Sequence, residues 1–173
     1  MKNKFAIKPV IVLTAICLIT AAILGAINYV TAPVIARDEY EKEQAALKEV
    51  LPSGEDFTAL DLSELKLDER IKAAYSEKNG GYAFRITVKG YKSGLTVLCG
   101  VDSDGRVSGA TCLSSSETLG KEKTYGTNFI GKSADEVTSV DTIAGATKTT
   151  AAYREAIKLA LDAFESLTKE VEQ

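Results

Sequence analysis

The longest uninterrupted apolar pattern comes first. From Pro9 to Ala36 no charged residue occurs, and Pro9 to Val30, PVIVLTAICLITAAILGAINYV, is almost wholly apolar. As an α-helix those residues span about 33 Å at roughly 1.5 Å per residue, enough to cross a hydrocarbon core. A cleaved signal peptide is the alternative, but the run exceeds the usual apolar region of roughly 7–15 residues and favours a retained anchor. Beyond Pro33, VIARDEYEKEQAALKEVL sets Val34, Ile35, Tyr40, Ala45, Leu47, Val50 and Leu51 against a polar opposite face, and Pro52-Ser53-Gly54 stops the helix this predicts. The segment reads as a stalk that continues the anchor, and equally as an amphipathic helix packed in a core; the two readings are compatible.

Residues 55–69, EDFTALDLSELKLDE, are acidic and predict a short strand and a turn. The pieces AYSEK, GYAFRITVKG, LTVLCGVD and RVSGATCLS follow, rich in β-branched and aromatic residues and separated by Asn79-Gly80-Gly81, Lys92-Ser93-Gly94 and Asp104-Gly105. Such spacing predicts an antiparallel meander. From Thr147 to Lys169 the period returns to that of a helix, with Tyr153, Ala156, Ile157, Ala160, Leu161, Phe164 and Leu167 on one face. A helix of that kind packs on a sheet, so the fold class is α+β.

Charge orients this plan. The first eight residues hold Lys2, Lys4 and Lys8 and no acid, whereas Asp38, Glu39 and Glu41 follow the apolar run. The positive-inside rule places the N-terminus in the cytoplasm. The expected divisions are a cytoplasmic tail at 1–8, a transmembrane helix at 9–30, a helical stalk at 31–52 and an extracytoplasmic domain at 53–173. With a net charge of −3 despite that basic start, the remainder is acidic, which argues against nucleic-acid binding. The chain has no histidine. Ser-His-Asp and Cys-His nucleophiles, histidine metal sites and the usual neutral-pH base are excluded, so catalysis by the protein's own side chains is a poor fit.

The cysteines suggest no metal motif and no bridge. Cys17 lies in the apolar run, and Ile16 before it does not make a lipoprotein cleavage site. Cys99 and Cys112 fall on adjacent predicted strands whose simple registers pair Cys99 with Gly109 or Ala110, leaving Cys112 a diagonal neighbour at best. Two small buried hydrophobes fit better than a disulfide.

Chemistry concentrates where the sheet gives way to the last helix, in Asp141-Thr142-Ile143-Ala144-Gly145-Ala146-Thr147-Lys148-Thr149-Thr150. The first turn of a helix has unpaired N–H groups and a positive dipole end, and the small residues allow an anion such as a phosphate to approach. From composition alone a threonine-rich helix cap fits as well.

The segment resembles the flavinylation motif Asp-x-x-Ser/Thr-Gly-Ala-Thr of the FMN-binding domain shared by the RnfG component of Rnf complexes and its counterpart in sodium-translocating NADH:quinone oxidoreductases. In that family the last threonine, here Thr147, carries FMN through a phosphoester installed from FAD by a separate flavin transferase with a divalent cation. The acceptor domain then needs no base of its own. The likeness continues in the anchor ending Asn28, Thr31, Ala32, Pro33, in Ala-Leu-Lys-Glu-Val-Leu-Pro at 46–52, in Gly90-Tyr91 before LTVLCGVDSDGRV, and in Ser116-Glu117-Thr118 before Leu119-Gly120. Two departures stand out. Ala144 occupies a position where serine or threonine is customary, and the Pro-Gly pair usual in the 117–120 region is missing.

The resemblance implies a membrane-anchored electron carrier with covalent FMN on Thr147, within an ion-translocating ferredoxin:NAD+ oxidoreductase (Rnf) complex. It implies Thr142, Gly145, Ala146, Lys148 and Thr149 as cofactor-binding residues beside Thr147, with Asp141 ordering the loop or read by the transferase, or else a solvent-exposed turn residue, and Glu117, Thr118, Leu119, Gly120 and Tyr91 near the flavin ring. Other Rnf membrane subunits and the flavin transferase are the implied partners. The single span has no Asp, Glu, Lys, Arg or His, so ion movement belongs to those partners. The alternatives are the counterpart in the sodium-translocating NADH:quinone oxidoreductase, usually a longer chain, a stand-alone extracytoplasmic flavoprotein, and a structural domain without flavin. Ser108-Gly109-Ala110-Thr111 repeats the core of the motif, but Gly105 stands where Asp141 stands for Thr147, and Thr111 falls in a strand.

Overall fold

The computed structural model describes residues 4–52, 54, 56–63, 65, 67–116, 120 and 122–171, with the side chains of 4–7, 93, 123, 170 and 171 aside. It falls into two compact units, Met1–Glu41 and Lys42–Gln173.

Helix α1 runs Lys4–Val50 without a break, with Pro9 and Pro33 inside it. The expected anchor and stalk are therefore one element. Pro33 has no N–H to give the carbonyl one turn back, a loss that a long helix with continuous ladders on both sides absorbs. Two hydroxyls in the apolar stretch bond back to the helix: Thr20 Oγ1 donates to the Ile16 carbonyl at 3.0 Å and Thr31 Oγ1 to the Ile27 carbonyl at 2.9 Å. The stretch is long and apolar enough to cross a membrane.

The second unit is built on a five-stranded antiparallel sheet in sequential order: β1 (Thr58–Ala59), β2 (Ile71–Ser76), β3 (Tyr82–Lys89), β4 (Ser93–Val101) and β5 (Val107–Ser114). The meander was legible, but not all its edges. β2 begins before the AYSEK piece because Ile71 pairs with Ile86 and is buried in the core. Ser93 and Gly94 belong to β4, so the β3–β4 turn falls on Gly90, Tyr91 and Lys92, and a register shift at Val88/Lys89 takes up the difference. The acidic segment supplies the short strand β1 and a turn in which Asp61 Oδ1 accepts from the Ser63 N–H at 2.9 Å.

Both faces of the sheet are covered. Phe84, Ile86 and Val88 of β3 and Leu95, Val97, Cys99 and Val101 of β4 pack with the last helix, α3 (Thr147–Val171), through Ala152, Tyr153, Ala156, Ile157, Ala160, Leu161, Phe164 and Leu167. On the opposite face Ala83 and Leu98 meet Ala46, Leu47, Val50 and Leu51, from the end of α1. This explains why β4 reads as a nearly continuous apolar run rather than an alternating one. Cys99 pairs with Ala110 and Cys112 with Val97, so the two cysteines are diagonal neighbours and are not joined.

Candidate functional site

Among the described residues between β5 and α3 are a short helix, α2 (Glu122–Tyr125), and two 3-10 turns, Gly126–Phe129 and Val137–Ser139. The first turn presses onto β5: a Cβ on Gly126 would lie 1.9 Å from the Ala110 carbonyl oxygen, so only glycine fits. Phe129, Tyr125 and Tyr153 then form one aromatic cluster. Tyr125 meets both other rings edge-on at 5.1 and 5.4 Å, and Phe129 stacks on Tyr153 at 5.8 Å. Val137 and Val140 anchor the following segment in the core.

From that anchor the chain rises to the surface. Asp141, Thr142, Ala144 and Gly145 are exposed, and Ile143 turns back against the core. Gly145 takes φ +79°, a left-handed conformation, with nothing within 4 Å of where a Cβ would be. The Ala146 N–H donates to the Ile143 carbonyl at 3.0 Å, and α3 starts at Thr147. The residue before the helix is thus Ala146, whose side chain cannot accept from the first-turn amides as serine, threonine or aspartate would. The Thr147 and Lys148 side chains are exposed, whereas Thr149 and Thr150 are buried. Thr150 Oγ1 accepts from the Ile143 N–H at 3.0 Å, which binds the first turn of α3 to the loop that precedes it.

Lys148 Nζ lies 5.8 Å from the centre of the Tyr91 ring, so the β3–β4 turn comes to the head of α3. Tyr91 is an exposed aromatic there. Of the residues singled out in sequence, Thr147, Lys148, Gly145, Ala146 and Tyr91 are therefore brought to one place. Gly120 is exposed with φ +65°. Glu117, Thr118 and Leu119 lie outside the described residues. The donor set suits a phosphate-linked group: a threonine hydroxyl at the surface, a helix N-terminus preceded by Ala146, a lysine beside it, and open space at Gly145.

Sequence reasoning passed over Tyr125 and Arg154. Tyr125 Oη donates to the Asp141 carbonyl at 2.7 Å, and the Arg154 guanidinium donates to the Val140 carbonyl. Burial raises the Tyr125 phenol above its ordinary value, against the opposing effect of the Arg154 charge nearby. For Arg154 a signal existed, since it is a charge four residues after Thr150 within a helix otherwise apolar toward the core. For Tyr125 none did.

The second candidate, Ser108-Gly109-Ala110-Thr111, lies in β5 and serves packing. Ser108 Oγ donates to the Val50 carbonyl at 2.6 Å, and a Cβ on Gly109 would lie 2.7 Å from Val50 Cα. Its small residues make room for the end of α1.

The FMN-binding domain family matches residues 90–162, and the RnfG N-terminal region matches residues 1–50. The G subunit of the Na(+)-translocating ferredoxin:NAD(+) oxidoreductase complex of Acetobacterium woodii is 28% identical, over 96% of this chain and 95% of its own length. The G subunit of the proton-translocating ferredoxin:NAD(+) oxidoreductase complex of Clostridium ljungdahlii is 24% identical over 90% of each chain.

Proposed function

Since the chain belongs to the RnfG family, with an RnfG N-terminal region ahead of an FMN-binding domain, we propose that it is the electron-transfer subunit of an Rnf-type ferredoxin:NAD+ oxidoreductase and carries FMN covalently on Thr147. The observation that carries this reading is the exposed Thr147 hydroxyl at the head of α3, behind an open Gly145-Ala146 turn.

The attachment balances without a redox change. Thr147 Oγ forms an O–P bond to the FMN phosphate of FAD, the pyrophosphate P–O bond breaks, AMP leaves, and the hydroxyl proton passes to the flavin transferase or to solvent. The transferase and its divalent cation supply the activation, which suits a chain without histidine. The first-turn N–H groups of α3 and the Lys148 ammonium then offset the phosphodiester charge. Tyr91 offers an aromatic face beside them. Asp141 orders the loop through its backbone, while its exposed carboxylate is available for recognition by the transferase. Bound flavin supplies transfer of electrons singly or in pairs, which no side chain here can do. A covalent link keeps it from being lost on the outer side of the membrane.

The chain is anchored by residues 9–30, with Lys2, Lys4 and Lys8 inside and the 53–173 domain outside. Its partners are the other Rnf membrane subunits, which hold the ion pathway, and the flavin transferase during maturation.

Co-expression with a flavin transferase, followed by a denaturing gel viewed under ultraviolet light, tests the reading. The wild-type band and Thr111→Val fluoresce and Thr147→Val is dark. A dark wild-type band overturns it.

A further inference from the structure

The segment leading to Thr147 is held from below by side chains that reach its backbone and leave the Thr147 hydroxyl untouched. Arg154 donates to the Val140 carbonyl, Tyr125 Oη donates to the Asp141 carbonyl at 2.7 Å, and Thr150 Oγ1 accepts from the Ile143 N–H at 3.0 Å. Within four residues, three backbone groups are thus fixed by two elements, α2 and α3. Tyr125 cannot drift, because Phe129 and Tyr153 hold its ring on two sides. Thr150 is fully buried. Above this root the tip is closed by the Ala146 N–H to Ile143 carbonyl bond, Ala144 and Gly145 are exposed, and no described residue fills the space at Gly145. The tip carries no hydroxyl at 144 that could bond back to the loop.

We infer that Tyr125, Thr150 and Arg154 are positioning residues for modification of Thr147, setting where the acceptor hydroxyl stands through a clamp on Val140, Asp141 and Ile143. The inference rests on Thr147 as the flavin acceptor. Its physical basis is that transfer to phosphorus requires the incoming oxygen to be aligned with the leaving oxygen, and a loop free to swing presents that oxygen correctly only a small part of the time. A tyrosine phenol can donate to a backbone carbonyl and a threonine hydroxyl can accept from a backbone N–H, as Tyr125 and Thr150 do here.

The test uses the full chain purified in detergent from cells without a flavin transferase, then given the transferase, FAD and magnesium, with incorporation followed by in-gel fluorescence. Tyr125→Phe and Thr150→Val slow the maximal rate by roughly tenfold or more while the KM for the acceptor chain stays near wild type. Thr150→Ser restores the hydroxyl and most of the rate. Arg154→Met slows it as well, and thermal unfolding of each variant is measured alongside. Wild-type rates in Tyr125→Phe and Thr150→Val overturn the clamp while leaving Thr147 as acceptor. So does slowing that follows lost thermal stability, with Thr150→Ser no faster than Thr150→Val. A wild-type chain that never becomes fluorescent, by contrast, overturns the acceptor reading and the clamp with it.

Discussion

Tyr153 shows how far one residue's role depends on its neighbours. Helical spacing alone places it on the apolar face of α3, and it is fully buried there. Its hydroxyl, however, has no hydrogen-bond partner among the described residues, and burial pushes its phenol well above the ordinary value. A buried hydroxyl normally finds a partner. Tyr153→Phe removes the desolvation cost and keeps the ring stacked on Phe129, so thermal unfolding of the full chain in detergent is expected to show no loss and a gain of up to about 1 kcal/mol. A clear loss would mean that the hydroxyl is bonded in solution. Small residues carry the same lesson. Gly145 and Gly109 stand in nearly identical four-residue strings, yet a Cβ would meet nothing at the first and backbone at the second.

Among the elements, the end of α1 is the one whose role was least legible. Its apolar spacing announced a helix, and both a stalk and a core helix fitted. Packing decided for residues 46–51: Leu47 and Val50 are buried against Ala83 and Leu98. Sequence periodicity reports that a face is apolar but not which surface covers it. The partner surface is made by glycines, since a Cβ on Gly100 would lie 2.5 Å from the Val50 carbonyl oxygen. Arg85 of β3 adds an ion pair to Glu43 at 3.2 Å. Gly109→Ala forces its new methyl toward Val50 and is expected to cost about 1–3 kcal/mol in thermal unfolding. Gly25→Ala, with nothing within 4 Å, is expected to change it little. Equal stability of the two variants would show that the α1 end does not press on β5.

For the whole molecule, composition sets the response to pH. Without histidine, and with the Cys99 thiol raised by burial, stability is expected to be flat between about pH 6 and 7.5. Carboxylates govern the acid side. Hydrogen bonds from Arg70 hold Asp68 down at about 2, the Ser133 N–H and hydroxyl lower Glu136, and Lys169 lowers Glu165. Groups depressed in the folded state contribute fully above the ordinary carboxylate range, and that contribution fades as pH falls through their folded values. Thermal stability should therefore decline from about pH 4.5 toward pH 2, each exposed pair contributing little. A midpoint that falls between pH 7.5 and 6 instead would contradict this assignment. The sequence by itself determined the long apolar helix, the meander and the amphipathic last helix, and it narrowed the partner of Cys99 to Gly109 or Ala110, because each is written in local spacing. Only the tertiary structure decided that the end of α1 seals the second face of the sheet, that Ser108 to Thr111 serve packing, and that Tyr125 and Arg154 reach the Thr147 loop. Those depend on contacts between residues far apart in the chain, and no local period records which distant surfaces will meet.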